Sequence, residues 1–376
     1  MGIDPKIFVS RLNDMGVGLY AGVPDSLLSD LCAYLQDYYQ GRLNHVITAN
    51  EGNAIALAAG FHLASGKLGV VYMQNSGLGN AINPLTSLAD PEVYRIPMIL
   101  VIGWRGQPGV SDEPQHIKQG RITKAQLDLL EIPNWTINKN SDLESVILTA
   151  RNVLLESQAP IAFLVEKGTF TKYSLSDGAT PELGMTREDA IRLIISQLGA
   201  EDLLISTTGK ASREVYECRQ AKGEHLREFL TVGSMGHTLS IAAGVAIASR
   251  SKRVVCLDGD GSMLMHMGSL PVTASLKLEN LIHIVLNNGA HESVGGQPTI
   301  ARRIDLAGIS NACGYARYFR ADNPRELESV LSKSVGVAGP LFIEVVCSVG
   351  SRDDLGRPKS SPVENKAAFM EFARER

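Results

Sequence analysis

Short, almost unbroken apolar runs, each closed by a polar or glycine-containing turn, recur from one end of this chain to the other. Residues 69–73, 97–102 and 161–165 in the first half read this way, as do 203–205, 254–257, 281–286 and 341–346 in the second. A strand loses its polar alternation when neither face meets water, so such runs predict strands buried on both faces. Residues 18–20 and 46–48 add two shorter strands. Helical periodicity covers 7–15, 26–38 and 53–64, and a new helix opens at 186, with Asp25 or Ser26 placed to cap the second. Strands separated by about ten to fifteen helical residues predict parallel sheets with helices on both faces. A polar stretch with Ser174, Asp177, Gly178 and Pro181 reads as a linker. The fold expected is α/β: two open, mostly parallel-sheet domains, residues 1–171 and 186–376, joined by a linker over 172–185.

Composition removes alternatives more than it adds. A chain of 376 residues is too long for one comfortable core. Its net charge of −4, with acids and bases interspersed, leaves no nucleic-acid footprint or membrane-surface patch. Cys32, Cys218, Cys256, Cys313 and Cys347 are scattered without a Cys-x-x-Cys, against a zinc or iron–sulfur site and in keeping with reduced thiols in a cytoplasm. The first residues lack a signal-peptide core, and no apolar stretch reaches membrane-spanning length. A nicotinamide enzyme is disfavoured because no Gly-x-Gly-x-x-Gly opens a helix after an early strand.

The candidate chemistry begins at Gly259-Asp260-Gly261-Ser262, which follows the run 253–257 and puts Asp260 at the end of a strand. The run 281–286 delivers Asn287-Asn288 to the same sheet edge. A carboxylate, an amide oxygen and a nearby backbone carbonyl make a hard oxygen set for Mg²⁺, which keeps its other positions for water and phosphate oxygens. A magnesium-bridged diphosphate site is the reading.

Gly-Asp-Gly, about thirty residues, then Asn-Asn resembles the diphosphate motif of thiamine diphosphate enzymes. The resemblance implies that Asp260, Asn288 and the backbone carbonyl of Ala290 hold the metal, with Gly259, Gly261 and Ser262 near the diphosphate. The spacing is about one residue longer than in several relatives, so Asn287 stands as the alternative ligand. In Asn50-Glu51-Gly52, Glu51 matches the family's glutamate, which bonds a ring nitrogen of the aminopyrimidine and so promotes proton removal from the thiazolium; desolvation in an apolar pocket suits an acid to that work. Ser76, in Gln74-Asn75-Ser76-Gly77-Leu78-Gly79-Asn80, is similar to the turn after a strand in pyrimidine-binding domains. Thr208 and Gly209 are placed to cradle diphosphate oxygens. Gly233-Ser234-Met235-Gly236 resembles the segment whose bulky apolar residue bends the cofactor, which makes Met235 the prop. Taken alone, Glu51 also fits a solvated carboxylate at a helix start, and Met235 a core methionine.

The pyrimidine-type half runs straight into the diphosphate-type half. That two-domain arrangement, Gly22-Val23-Pro24-Asp25-Ser26-Leu27-Leu28, Asp112-Glu113-Pro114-Gln115-His116, the run from Asn287 to Thr299, and Ser351-Arg352-Asp353-Asp354-Leu355-Gly356-Arg357-Pro358 are most similar to the phosphonopyruvate decarboxylase family, with the sulfopyruvate decarboxylases next. What this implies is non-oxidative loss of CO₂ from 3-phosphonopyruvate, in phosphonate biosynthesis. Asp25 resembles the family aspartate that helps protonate the intermediate and release product, in a turn one residue shorter; a helix cap is the other reading. His116 and His291 are candidate proton donors able to switch near neutrality. A phosphonate tail asks for cations: Arg105 and Lys210 are candidates, with Lys118, Arg302 and Arg303 behind them, and Ser293, Gln297 and Thr299 fit the same pocket. The resemblance also implies a homodimer or larger self-assembly with each cofactor shared between chains. A catalytically silent cofactor-binding chain is the alternative of another class.

Overall fold

A computed structural model of the chain describes residues 2–175, 184–224 and 227–374. It divides into two compact units, Met1–Gly178 with Val294–Gln297, and Ala179–Ser293 with Pro298–Arg376. Most of the stretch expected as a linker lies outside the described residues.

The first unit is built on β1 (Val17–Gly22), β2 (His45–Ile47), β3 (Leu68–Gln74), β4 (Met98–Gly103), β5 (Asn134–Ile137) and β6 (Ile161–Val165). They form one sheet in the order β2-β1-β3-β4-β6-β5, parallel throughout. Its central strands are apolar on both sides because both sides are covered. Phe8, Tyr20, Leu35, Tyr72 and Phe163 pack on one face; Ile55, Ala58, Met73, Leu100 and Ile102 pack on the other. Each such side chain taken fully out of water contributes roughly 1.5–3 kcal/mol. The helix Glu51–Ser65 starts where Asn50 accepts a hydrogen bond from Gly52 N at 2.8 Å, and it ends at Gly66.

The second unit repeats the plan with β7 (Leu203–Ser206), β8 (Glu228–Leu230), β9 (Val254–Gly259), β10 (Leu281–Asn287), β11 (Arg317–Ala321) and β12 (Leu341–Val346). The order is β11-β12-β10-β9-β7-β8, again all parallel. One face is apolar, with Val255, Leu257, Ile282, Ile284 and Ile343 against Ile191, Ile194, Val215, Leu327 and Leu331. The other face carries a buried polar group. His283 lies between the Tyr315 hydroxyl, 3.2 Å from Nδ1, and the Asp258 carboxylate, 3.5 Å from Nε2. Glu344 accepts from Asn287 Nδ2 at 2.7 Å and from the Tyr318 hydroxyl.

In both units the turns that follow the strands gather at the carboxyl edge of a parallel sheet, which is where open α/β folds place their ligands. Every residue singled out for chemistry lies on those turns or the segments joined to them.

Candidate active site

Four neighbouring strands of the first sheet end in the residues of interest. The turn after β2 leads to Glu51, the first residue of its helix, which is 5% exposed. Its Oε2 accepts a hydrogen bond from Asn80 Nδ2 at 2.8 Å. A Cβ on Gly77 would lie 2.5 Å from Glu51 Oε1, so only glycine leaves the carboxylate room in that turn. Asp25 follows β1, fully buried, and caps the turn Ser26–Leu28 through Leu27 N at 3.0 Å. The helix-cap reading is thus realised, yet the carboxylate does more. Its Oδ1 accepts from Gln74 Nε2 at 2.7 Å, while the Gln74 carbonyl oxygen accepts from Ser76 Oγ at 2.8 Å. Burial pushes the Asp25 carboxyl above the usual range, and the Gln74 bond and Arg105 charge only partly oppose it.

Arg105, after β4, is engaged on every nitrogen. Nε donates to Asp112 Oδ2 at 2.8 Å, Nη2 to Asp112 Oδ1, and Nη1 to Ser26 Oγ at 2.6 Å. Asp112 also accepts from Gly106 N and Glu113 N, and its carboxyl is held far below the usual carboxylate range. The cation offered for a substrate tail therefore already has a bidentate counter-ion. His116, in the helix Pro114–Leu129, is 8% exposed; burial, with the Arg105 charge added, lowers its pKa.

In the second unit four adjacent strand ends, β8, β7, β9 and β10, supply the diphosphate side. Asp260 opens a short helix directly after β9 and is 4% exposed. Its Oδ2 accepts from the Thr299 hydroxyl at 2.5 Å and from Gly289 N at 3.1 Å. Burial raises its pKa to about 6, and hydrogen bonds from the Thr299 hydroxyl and from backbone N–H groups work against that. A buried carboxylate compensated in this way by neutral donors is the environment a divalent ion completes. Asn288 presents Oδ1 toward Ala290 N at 3.1 Å, and its Nδ2 donates to Glu292 Oε2 at 3.0 Å. The donor set of Asp260 Oδ1, Asn288 Oδ1 and the Ala290 carbonyl fits Mg²⁺. Asn287, the alternative ligand, is the last residue of β10; its Nδ2 donates to Glu344 Oε1 on the neighbouring strand at 2.7 Å, and its Oδ1 is buried without a partner among the described residues.

Ser262 ties three of these turns together, accepting from Thr207 Oγ1 at 3.2 Å and from Gly236 N at 3.1 Å. Thr208 Oγ1 donates to the carbonyl of Val232, in the residues leading to Gly233 and Ser234. Gly209, at φ 90°, takes a backbone conformation that a side chain resists, and it starts the helix Lys210–Ala221. Gly261 sits beneath both His291 and Met235: a Cβ there would lie 3.0 Å from His291 Cε1 and 3.4 Å from Met235 Cε. Segments more than twenty residues apart in sequence therefore meet at one glycine.

Several expectations change. Burial lowers the pKa of His291 to about 4 and lowers that of His116 as well, so both surroundings favour the neutral imidazole over the charged form. Lys210 Nζ is held by Glu292 Oε1 at 3.1 Å and Ser351 Oγ at 2.7 Å. The Thr299 hydroxyl donates its proton to Asp260. Ser293 is exposed beside Gly209, whereas Gln297 is buried with neither amide atom hydrogen-bonded among the described residues. Sequence reasoning missed Asn80, Thr207, Asp112 as a brace, and Glu292. Asn80 closes the turn at 74–80 already singled out, and Glu292 stands four residues beyond Asn288 in another such motif, but the sequence does not mark either as a partner of Glu51 or Asn288. The distinctive run at 351–358 is a strap: Arg352 binds Glu188, Glu217 and Asp354, and Gly356 N donates to Glu217.

Two family models match the chain. One describes the thiamine pyrophosphate enzyme N-terminal TPP binding domain, over residues 5–128. The other describes the corresponding C-terminal TPP binding domain, over residues 207–345. A phosphonopyruvate decarboxylase of Streptomyces viridochromogenes is 36% identical, covering 97% of this chain and 93% of its own. One from Streptomyces hygroscopicus is also 36% identical, covering 99% and 94%. A sulfopyruvate decarboxylase of Methanosarcina acetivorans is 29% identical, covering 96% of each.

Proposed function

The chain belongs to the thiamine pyrophosphate enzyme family, and on that premise we propose that it is a Mg²⁺-dependent decarboxylase converting 3-phosphonopyruvate to phosphonoacetaldehyde and CO₂. The observation that carries the proposal is the buried Asp260 carboxylate, held by the Thr299 hydroxyl and Gly289 N, at the strand end next to the oriented amide oxygen of Asn288. The reaction assigned follows the relatives, whose similarity runs nearly end to end.

Asp260, Asn288 and the Ala290 carbonyl would hold Mg²⁺. Thr208, Gly209, Gly233, Ser234 and the Gly259–Ser262 turn would receive the diphosphate, with Met235 beneath the bend. When bound, thiamine diphosphate supplies an acidic ring carbon that adds to the keto group and accepts the electrons left by departing CO₂. Glu51 would hydrogen-bond a ring nitrogen and exchange a proton with it, and Asn80 on Oε2 leaves Oε1 for that contact. Asp25, whose carboxyl burial pushes above the usual range, would assist product release, and Gln74 aims it. His116 and His291 act as neutral hydrogen-bonding groups, since burial disfavours their charged forms. Gln297, whose buried amide has no hydrogen-bond partner among the described residues, is a candidate polar contact for substrate. Thr299 serves Asp260 instead.

Each complete site requires a second copy of the chain, and we propose at least a homodimer. Among the described residues no helix is long and apolar enough to cross a bilayer. A cytoplasmic setting suits the five free cysteines.

The test is a panel of 2-keto acids given to purified protein with Mg²⁺ and thiamine diphosphate, with aldehyde followed through a coupled reductase. Phosphonopyruvate should give the highest kcat/KM. A preference for sulfopyruvate would reassign the substrate, and absence of CO₂ release from every acid would mark the chain as catalytically silent.

A further inference from the structure

We infer that Glu292 is a positioning residue that sets which end of the Asn288 amide faces the metal. The inference rests on the reading that Asp260 and Asn288 clamp Mg²⁺, and it assigns the clamp's accuracy to a carboxylate outside the ligand set.

An asparagine amide has an oxygen and a nitrogen of nearly equal size, and only the oxygen can bind a cation. Its orientation must therefore come from its neighbours. Asn288 Nδ2 donates to Glu292 Oε2 at 3.0 Å, and Asn288 Oδ1 accepts from Ala290 N at 3.1 Å. Rotating the amide by half a turn would set oxygen against carboxylate oxygen and NH₂ against N–H. Both contacts would be repulsive, so one orientation survives.

Glu292 is itself immobilised by charge. Arg187 Nη1 donates to Oε2 at 2.7 Å and Lys210 Nζ donates to Oε1 at 3.1 Å. Arg187 is clasped on its other edge by Glu214, through Nε and Nη2, both at 2.7 Å. The side chains of Arg187, Glu214 and Glu292 are 9%, 1% and 8% exposed. Two cations and two carboxylates balance, so the network gives Glu292 a fixed place without leaving buried net charge. Partners that hold a ligand's far end are usually worth about 10–100-fold in metal affinity. The same network holds Lys210, one of the cations considered for the substrate tail, through Glu292 and Ser351.

The experiment measures Mg²⁺ half-saturation of thiamine diphosphate binding by protein fluorescence, together with Tm of the cofactor-free protein, for the full chain and two variants. Glu292→Gln places an NH₂ where an acceptor stood. Glu292→Asp keeps the charge for Arg187 and Lys210 but withdraws the acceptor from Asn288 by one methylene. Both should raise Mg²⁺ half-saturation about tenfold or more, and saturating Mg²⁺ should restore the parental affinity for thiamine diphosphate. Unchanged half-saturation in Glu292→Asp overturns the inference, whether or not Glu292→Gln folds. So does a binding defect that persists at saturating metal, since that is the mark of a structural role. If the parent protein binds the cofactor equally well without Mg²⁺, the clamp reading fails instead.

Discussion

Single residues carry the chemistry, and two contacts decide how well. Glu51 is held from opposite sides by the Asn80 amide and by the absence of a side chain at Gly77. Replacing Glu51 with Gln keeps its size and removes the exchangeable proton. Turnover should fall by about 10²–10⁴-fold with cofactor affinity within a few-fold of the parent; near-normal turnover would refute the proton role. A second residue-scale prediction concerns His45, whose Nε2 lies 2.9 Å from the Tyr72 hydroxyl and whose pKa burial lowers to about 4. An unfolded histidine takes up a proton near pH 6.5, whereas this one resists until about pH 4. Its contribution to stability is therefore complete above pH 6.5 and is lost as pH falls toward 4, at up to about 1.4 kcal/mol per pH unit. Denaturant titrations from pH 7 to 4.5 should show a shallower decline for His45→Gln than for the parent. At this scale the sequence revealed the residues on strand-turn motifs, Asp260 and Glu51 among them. It concealed Thr299 on Asp260 and Asn80 on Glu51, because those contacts join positions 39 and 29 residues apart with no periodic signature.

Among the elements, legibility followed burial. The central strands β3, β4, β6, β9, β10 and β12 are covered on both faces and so announce themselves as apolar runs. Three of the four edge strands, Asn134–Ile137, Glu228–Leu230 and Arg317–Ala321, carry polar or half-exposed residues and gave no such sign. The edge at β8 is also where an element far along the chain is needed. Asn365, on the helix Pro362–Arg374, donates to the Glu228 carbonyl at 2.9 Å and accepts from Leu230 N at 3.0 Å. One amide thus stands in for a missing neighbouring strand. Asn365→Ala would leave both backbone groups unpaired in a buried setting, at about 1–3 kcal/mol for each. A fall of several degrees in Tm is expected, with KM little changed; an unaltered Tm would show that the edge is satisfied another way.

For the whole molecule, two parallel sheets, each with its ligand-bearing turns at the carboxyl edge, give each half one part of the cofactor's requirements. Glu51 belongs to the first unit, and Asp260 and Asn288 to the second. In the proposed dimer each site takes Glu51 from one chain and Asp260 with Asn288 from its partner. Sequence pattern made the two-fold α/β plan readable because every central strand repeats the same apolar signature. The joining stretch carries no comparable one. Co-expression of Glu51→Gln and Asp260→Ala chains, with phosphonopyruvate turnover measured on the mixed dimers, tests this most directly. A mixed dimer regains one site with both groups intact, so random pairing should restore about one quarter of parental activity from two inactive parents. Activity no higher than that of the separate variants, in a preparation proven to contain mixed dimers, would contradict it.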